Sequence, residues 1–374
     1  MDASFATVAR YANRALFIRN GPVRGGTSFA RRRTTTDRLK TVTALTNLLA
    51  ERTCLLADGA TGTNYFDMGL QSGDPPEMWN VEHPERVALL HQQFVDAGAD
   101  IILTNTFGCN RRRLMLHKQE DRSVELNAAA ARIARKVADS ADHPVIVAGS
   151  VGPSGDLLVP LGELTYDEAV SVFKEQMEGL RDGGADVMWI ETMSAPDEIR
   201  AAVEAATSLG LPYTFTASFD TAGRTMMGLE PGALADVVAA EPSAPIAIGA
   251  NCGVGASDLL VSVLSMTEAA PNRIIIAKAN CGIPEVKGDQ VVYSGTPDLM
   301  ARFVSLAVDA GARIIGGCCG TSPNHVAAMR EALDRHNKGP RPSRAQIEQD
   351  IGPLVNPPIK AGTVPRRRSR RSRA

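Results

Sequence analysis

The chain has 374 residues, and its 44% hydrophobic and 22% charged content is typical of a globular protein with a large core. No apolar run approaches the roughly 20 residues that span a bilayer, which argues against a membrane protein. The two ends of the chain are basic, with nine Lys or Arg in residues 1–40 and seven in 360–374. The body between them has 24 basic and 40 acidic residues. This acidic body excludes nucleic-acid binding by bulk electrostatics.

The ends differ from the body in composition. Residues 1–40 are rich in Arg, Ser and Thr and nearly free of acid, and are predicted to be a disordered extension, with a mitochondrial transit peptide as the alternative. Residues 338–374 are predicted to be a Pro-rich and then basic tail. Residues 41–337 are predicted to form one domain, and six cysteines in so long a chain favour a reducing compartment, here the cytoplasm.

Helices and strands alternate along the body. Helical spacing predicts helices over 41–52, 84–97, 123–139 and 166–181, and short apolar runs predict strands at 54–57, 101–103, 144–148, 187–190, 213–218, 245–252, 273–277 and 313–315. Eight such strands predict an α/β fold, the (β/α)8 TIM barrel. A doubly wound open sheet is the rival, weakened because no G-x-G-x-x-G loop opens a helix.

Three cysteines stand at the ends of predicted strands. The run GGCCG at 316–320 contains Cys318 and Cys319, which as neighbours are poorly placed for a mutual disulfide but whose thiolates suit zinc. Two buried structural cysteines are the alternative for this pair. Cys252 ends another strand, and zinc with three protein ligands keeps a fourth position open. Such a site suits a thiol substrate, so the chemistry implied is alkylation of sulfur.

A barrel brings the C-terminal ends of its strands to one mouth. Asp58 follows the first predicted strand and Glu191 follows the fourth. Both are therefore expected near Cys252, Cys318 and Cys319.

Five short motifs resemble the homocysteine-binding domain: DGATGT at 58–63, VEHP at 81–84, TNTF at 104–107, GANCG at 249–253 and GGCCG at 316–320. This family comprises betaine–homocysteine methyltransferase, the first module of cobalamin-dependent methionine synthase and the S-methylmethionine enzymes. The resemblance covers roughly residues 45–337.

The resemblance implies an enzyme, a homocysteine S-methyltransferase, with Zn²⁺ on the three cysteines and the sulfur of L-homocysteine at the open position. It implies that Asp58 and Glu191 hold the substrate ammonium, while amides near Gly59 and Ala60 suit its carboxylate. A helix N-cap role for Asp58 and a buried salt bridge for Glu191 are the alternatives.

The methyl donor is less defined. The loop 73–84 resembles the betaine enzymes, which favours betaine and makes Trp79 the candidate for enclosing its quaternary ammonium. Gly108 and Thr192 depart from this pattern, since animal betaine enzymes place tyrosines there. Other aromatics would then complete the cage, with Phe107, Tyr65 and Phe66 as candidates. S-methylmethionine, dimethylsulfoniopropionate and a methylated cobalamin protein acting in trans stay open as donors.

Three more cysteines receive no ligand role. Cys281 is predicted to lie near the mouth without binding the metal, because a fourth thiolate would close the zinc against substrate. Cys54 is placed in a buried strand and Cys109 on a loop.

The non-enzyme alternative is a structural zinc barrel or a sensor of homocysteine or metal, and a zinc hydrolase is disfavoured by all-thiolate ligation. No nucleic-acid or membrane partner is expected, and assembly into a homo-oligomer stays open.

Overall fold

The computed structural model describes residues 43–282, 284–287 and 290–356, and within 283–292 it describes the backbone of two strands only. These residues belong to one compact unit, Thr41–Ala374. The predictions for residues 1–40 and for the basic end at 360–374 lie outside the described residues.

Eight parallel strands form the central sheet, in the order β1-β10-β7-β6-β5-β4-β3-β2. The strands are β1 (Leu55–Leu56), β2 (Ile101–Leu103), β3 (Ile146–Val151), β4 (Val187–Met193), β5 (Tyr213–Ala217), β6 (Ile248–Cys252), β7 (Ile275–Ala279) and β10 (Ile314–Gly317). A parallel bridge between Ala57 and Ile101 joins the two edge strands, so the sheet is a nearly closed barrel. The TIM-barrel prediction is confirmed, and the open sheet is excluded. Strands β8 (Pro284–Lys287) and β9 (Gln290–Tyr293) form a separate antiparallel hairpin.

Helices surround the barrel. They are α1 (Ala44–Glu51), α2 (Gly62–Asp67), α3 (Trp79–Glu82), α4 (Pro84–Asp96), α5 (Arg111–Leu114), α6 (Ser123–Asp139), α7 (Tyr166–Gly183), α8 (Pro196–Ser208), α9 (Ala256–Ala269), α10 (Pro297–Ala310), α11 (Pro323–Arg335) and α12 (Arg344–Asp350). Among the residues described, none of these helices is both long and apolar enough to cross a membrane.

The barrel interior changes from apolar to polar along β4 and β7. Side chains of a strand alternate between its two faces, and Val187 and Trp189 of β4 and Ile276 of β7 belong to one apolar cluster inside the barrel. Two residues further along the same face stand Glu191 and Lys278, which are also buried. The end of the barrel where the strands finish is therefore lined by polar groups.

Helix α1 closes the opposite end. Its Leu45, Leu48 and Leu49 pack into the apolar cluster of the interior, and a capping box of Thr43 and Thr46 satisfies backbone groups at its start. The polar end is the one open to a substrate.

One feature of the C-terminal region differs from a simple tail. Helix α12 lies within the segment predicted as tail, and its Ile347 is fully buried in the main core. The described chain therefore continues as packed structure beyond residue 337, up to Asn356.

Candidate metal and substrate site

The three predicted cysteines converge at the polar end of the barrel. Their sulfur atoms all lie within 4.8 Å of one another, and the sulfurs of Cys252 and Cys319 are 4.0 Å apart. A tetrahedral zinc with sulfurs at about 2.3 Å requires sulfur separations of about 3.8 Å. All three cysteines keep part of their surface exposed to solvent. The donor set therefore fits a zinc ion with an open position.

Hydrogen bonds within the cluster favour negative charge on one of the three sulfurs, that of Cys319. Hydrogen bonds from Cys252 and Cys318 lower the pKa of Cys319, since they stabilise its thiolate. The bonds that Cys252 donates to Cys318 and Cys319 raise the pKa of Cys252 itself. Close thiols of this kind hold protons between them in the absence of a metal.

The turn after β6 sets the direction of one sulfur. Cys252 has φ 61°, and Thr192 at the end of β4 has φ 59°; such left-handed backbone costs about 1–3 kcal/mol for a non-glycine residue. The surrounding contacts must hold both residues in place.

The side chain of Asn251 supplies such contacts for Thr192. Its Oδ1 accepts hydrogen bonds from the Thr192 amide at 2.8 Å and from the Thr216 hydroxyl at 2.6 Å. Its Nδ2 donates to the Thr192 hydroxyl at 2.6 Å and to the Cys318 sulfur at 3.8 Å. Asn251 therefore links the ends of β4 and β5 to the sulfur cluster.

Asn280 fixes the other side of the cluster. Its Nδ2 donates to the Gly253 carbonyl at 2.7 Å, and its Oδ1 accepts from the Cys319 amide at 3.1 Å. The neighbouring Cys281 is buried, its pKa is raised to about 12 by desolvation, and its sulfur is outside the cluster, as predicted. In both Asn-Cys pairs the asparagine positions the site, whereas only Cys252 belongs to it.

A tyrosine that the sequence analysis missed lies against Cys319. Tyr293 ends the hairpin and is hydrogen-bonded to the Cys319 sulfur, while burial raises the pKa of its phenol. Gly320 has φ 80°, and a Cβ there would lie 2.4 Å from the ring of Tyr293. This glycine is required by the close approach of the ring.

Asp58 and Glu191 both line the polar end. The Lys278 ammonium donates to Asp58 Oδ1 at 2.7 Å, and the Leu103 amide donates to Oδ2 at 2.7 Å. The Ser150 hydroxyl donates to Glu191 Oε1 at 2.5 Å. Asp58 therefore forms a buried salt bridge and does not act as the helix N-cap considered as its alternative role. Glu191, for which a buried salt bridge was the alternative role, forms none among the residues described.

Electrostatics couple the two carboxyls to the sulfurs. Burial raises the pKa of Glu191 to about 7 and also raises the pKa of Asp58. In both cases the charge of Lys278 opposes the rise, and negative charge on Cys318 adds to it. These shared influences place the acids and the thiols in one site.

Lys278, like Asn251, was missed from the sequence. The predicted strand ended at residue 277, although β7 extends to Ala279. The available signal was alternation: Lys278 stands two residues after Ile276, on the same inward face.

One of the two backbone positions predicted to bind the substrate carboxylate, Ala60, already has a hydrogen-bond partner within the protein. The Ala60 amide donates to the Thr321 carbonyl at 3.0 Å. A Cβ on Gly59 would lie 2.4 Å from that same carbonyl oxygen, so this position requires glycine. The contact of Gly59 and Ala60 with substrate stays a prediction.

Trp79 is buried on α3 with only 6% of its surface exposed. Its ring lies 5.1 Å from that of Tyr65, and the Arg86 guanidinium lies 4.9 Å above it. Phe107 has Arg113 at 5.5 Å from its ring. The rings of Trp79 and Phe107 are thus already in cation–π contact with arginines of the protein. The role of Trp79 in donor binding stays a prediction.

The surroundings of Gly108 leave no room for the tyrosine that animal betaine enzymes place at this position. Its amide donates to Glu77 Oε1 at 2.7 Å, and a Cβ at this position would lie 2.7 Å from the same oxygen. The buried Glu77 therefore occupies the space into which a side chain at 108 would extend.

Comparisons with known proteins agree with this geometry. Residues 55–333 match the family described as homocysteine S-methyltransferase. Methionine synthase of Mycobacterium leprae is 32% identical over 316 residues, which are 80% of this chain and 26% of that protein. Methionine synthase of Mycobacterium tuberculosis is 31% identical over 307 residues, 78% of this chain and 25% of that protein. The chain thus spans about a quarter of the length of these relatives.

Solved structures give the same fold. The metallated form of the homocysteine methyltransferase MmuM from Escherichia coli superposes with a TM-score of 0.66 at 24% identity, covering 77% of this chain and 99% of that one. Its oxidised form gives the same TM-score. The family match spans most of the barrel and confirms the resemblance inferred from the sequence. The chain belongs to the homocysteine S-methyltransferase family.

Proposed function

We propose that this chain transfers a methyl group from a small onium donor to the sulfur of L-homocysteine, which gives methionine. The observation that carries the proposal is the cluster of three cysteine sulfurs within 4.8 Å at the mouth of the barrel. The buried acids Asp58 and Glu191 beside it offer a site for an amino acid. Membership of the family supports the same reaction.

Cys252, Cys318 and Cys319 are proposed to hold Zn²⁺. Zinc bound there would supply one effect, a lower pKa for the substrate thiol and so a thiolate nucleophile. Asn251 and Asn280 keep the three sulfurs at the required spacing through the hydrogen bonds described above.

Asp58 and Glu191 are proposed to accept the ammonium group of homocysteine. Among the residues described, Ser150 is the only hydrogen-bond donor to Glu191, and it contacts Oε1 alone. Oε2 can therefore accept from the substrate. Both acids are nearly inaccessible to water, which strengthens their attraction for a cation. Gly59 and Ala60 are proposed for the carboxylate.

The reaction is a direct displacement. The sulfur forms a bond to the methyl carbon as the bond from that carbon to the positive nitrogen or sulfur of the donor breaks. The electron pair leaves with the donor, which becomes neutral, and the thiol proton passes to solvent. Because a neutral molecule leaves, no acid is needed, and the protein contributes mainly by holding the two reactants in line.

Glycine betaine is the first donor we propose, because of the loop 73–84 and with Trp79 as its contact. A methylated cobalamin protein acting in trans is the second candidate, and the similarity to two methionine synthases favours it. S-methylmethionine and dimethylsulfoniopropionate complete the set. We also propose a cytoplasmic location, which the six free cysteines support.

The function is tested by measuring methionine formed from homocysteine by the zinc-loaded protein. The donors are glycine betaine, S-methylmethionine, dimethylsulfoniopropionate and methylcobalamin. We expect turnover with betaine. Turnover with another donor alone would retain the reaction and remove the betaine assignment. Bound zinc without methyl transfer from any donor would instead support a structural or sensing barrel.

Cys318→Ala is expected to lose zinc and activity together, because two thiolates with an alanine leave an incomplete site. Zinc content, methionine formation and circular dichroism measure the three consequences, and the barrel should stay folded. Cys281→Ala is the matched control, since this neighbouring cysteine is outside the cluster, and it should keep its zinc. Full turnover by a zinc-free Cys318→Ala protein would contradict the mechanism.

A further inference from the structure

Lys278 is a lysine buried inside the barrel, with 2% of its side chain exposed. Its ammonium lies 2.7 Å from Asp58 Oδ1 and 3.4 Å from the Asp58 carbonyl oxygen. The ring of Trp189 lies below it, 6.0 Å from Nζ. A lysine is almost never this buried without a paired charge, because desolvating the cation is costly. Asp58 is therefore its essential partner.

Asp58 follows β1 and is hydrogen-bonded to residues of three other strands, β2, β7 and β10. Its side chain accepts from the Leu103 amide on β2 and from Lys278 on β7. Its backbone amide donates to the Ile101 carbonyl at 2.9 Å, and its carbonyl accepts from the Gly317 amide at 2.9 Å. Gly317 directly precedes Cys318, so Asp58 connects the lysine to the strand end that carries two of the sulfurs.

The charges at this end of the barrel also form a simple pattern. When both acids are ionised, Asp58 and Glu191 bring two negative charges and Lys278 one positive charge, which leaves one negative charge for the single ammonium of an amino acid. Without Lys278 two carboxylates would face one ammonium in a site with little water, where repulsion between them is strong.

We propose that Lys278 is a positioning residue for homocysteine: it acts through Asp58, holding that carboxylate in place and oriented for the substrate ammonium. This inference rests on the function proposed above. Lys278 itself does not contact the reacting atoms. Its removal should therefore weaken homocysteine binding far more than it changes the affinity for the methyl donor.

The test compares Lys278→Met, Asp58→Asn and the double variant with wild type, all zinc-loaded. Melting temperature, zinc content and the KM of homocysteine and of donor are measured. We expect each single variant to raise the homocysteine KM at least about tenfold and the Lys278→Met melting temperature to fall by roughly 5–10 °C, because it leaves a buried unpaired charge. The double variant removes both charges, so its melting temperature should recover while its homocysteine KM stays high.

Asp100 provides a matched control at the other end of the barrel. It is also 1% exposed, pairs with Arg52 and Arg330, and accepts from the Leu56 amide at 2.8 Å. Asp100→Asn should lower the melting temperature and leave the homocysteine KM within about twofold of wild type, since Asp100 is remote from the sulfurs.

Two results would overturn the inference: an unchanged homocysteine KM in Lys278→Met, or recovery of that KM in the double variant, which would make the pair purely structural. Failure of the proposed function is separate, because wild type would then be inactive with every donor. In that case the rise in melting temperature on adding homocysteine replaces KM, and the same comparison of variants decides the role of Lys278.

Discussion

Single residues at the mouth of the barrel combine unfavourable conformation with function. Cys252 and Thr192 both have left-handed backbone, and Asn251 bonds to Thr192 through two atoms while also reaching Cys318. One buried amide thus offsets the strain at one strand end and positions a sulfur on another. Strain of this kind persists only where surrounding contacts determine it.

Glu191 is expected to reduce the stability of the protein at neutral pH. An unfolded chain releases its proton near pH 4.5, whereas burial in the folded chain raises the pKa to about 7. The folded state therefore loses stability as pH rises through this interval. Glu191→Gln should be more stable than wild type at pH 8 by on the order of 1–3 kcal/mol, and should show little gain at pH 4.5. Thermal unfolding of the zinc-free proteins at both pH values measures this difference.

The same variant should raise the homocysteine KM at least about tenfold, since a charged contact to the ammonium is lost. Glu198→Gln is the control. Glu198 is also buried, and its Oε1 accepts from the Ser154 hydroxyl at 2.6 Å, but it lies in the first turn of α8 and is not part of the cysteine cluster. Its replacement should leave the homocysteine KM within about twofold of wild type.

A Glu191→Gln protein that is less stable than wild type at pH 8 would contradict the prediction on stability.

At the residue scale the sequence identified the site by side-chain chemistry. The convergence of Cys252, Cys318 and Cys319 could be predicted because all three stand at the ends of barrel strands. Alternation after Ile276 could have placed Lys278 on the inward face, but not its charge pairing, because the partner Asp58 is 220 residues away in the sequence.

At the scale of elements, hydrophobic periodicity located the barrel well. The helix predicted at 123–139 has the observed bounds Ser123–Asp139, and the strand at 101–103 is Ile101–Leu103. Such agreement arises where the apolar run and the hydrogen-bonded ladder coincide. It fails at the polar end, where β4 continues to Met193 and β7 to Ala279. Functional side chains replace apolar ones there while the backbone pairing continues.

Helix α1 illustrates how an element can serve the site from a distance. Its three buried leucines fill the end of the barrel opposite the sulfurs, and burial of each contributes roughly 1.5–3 kcal/mol. The apolar end supplies stability, so the polar end can carry buried charges that reduce it. The helix was predicted from spacing, whereas its place as a plug depends on tertiary packing that a single sequence does not display.

At the scale of the whole molecule, the C-terminal part of the described chain returns to the mouth of the barrel. After α12 the amides of Val355 and Asn356 donate to the Asp258 carboxylate at 2.9 and 3.0 Å. The Asn356 side chain donates to the Asp220 carbonyl at 2.7 Å. Asp258 lies in the first turn of α9, only a few residues after Cys252. This C-terminal strap, residues 351–356, therefore braces the segment that presents one of the sulfurs.

Asp258→Ala should release the strap and loosen the Cys252 turn. Loss of two charge-assisted hydrogen bonds should cost about 2–4 kcal/mol of unfolding free energy, and zinc should pass to a chelator at least about threefold faster. Asp298→Ala is the matched control, because Asp298 also lies in the first turn of its helix, α10, but is exposed. It should cost only about 0.3–1 kcal/mol through the helix dipole and leave zinc release unchanged. Equal rates of zinc release in the two variants would show that the strap stabilises the fold without bracing the metal site.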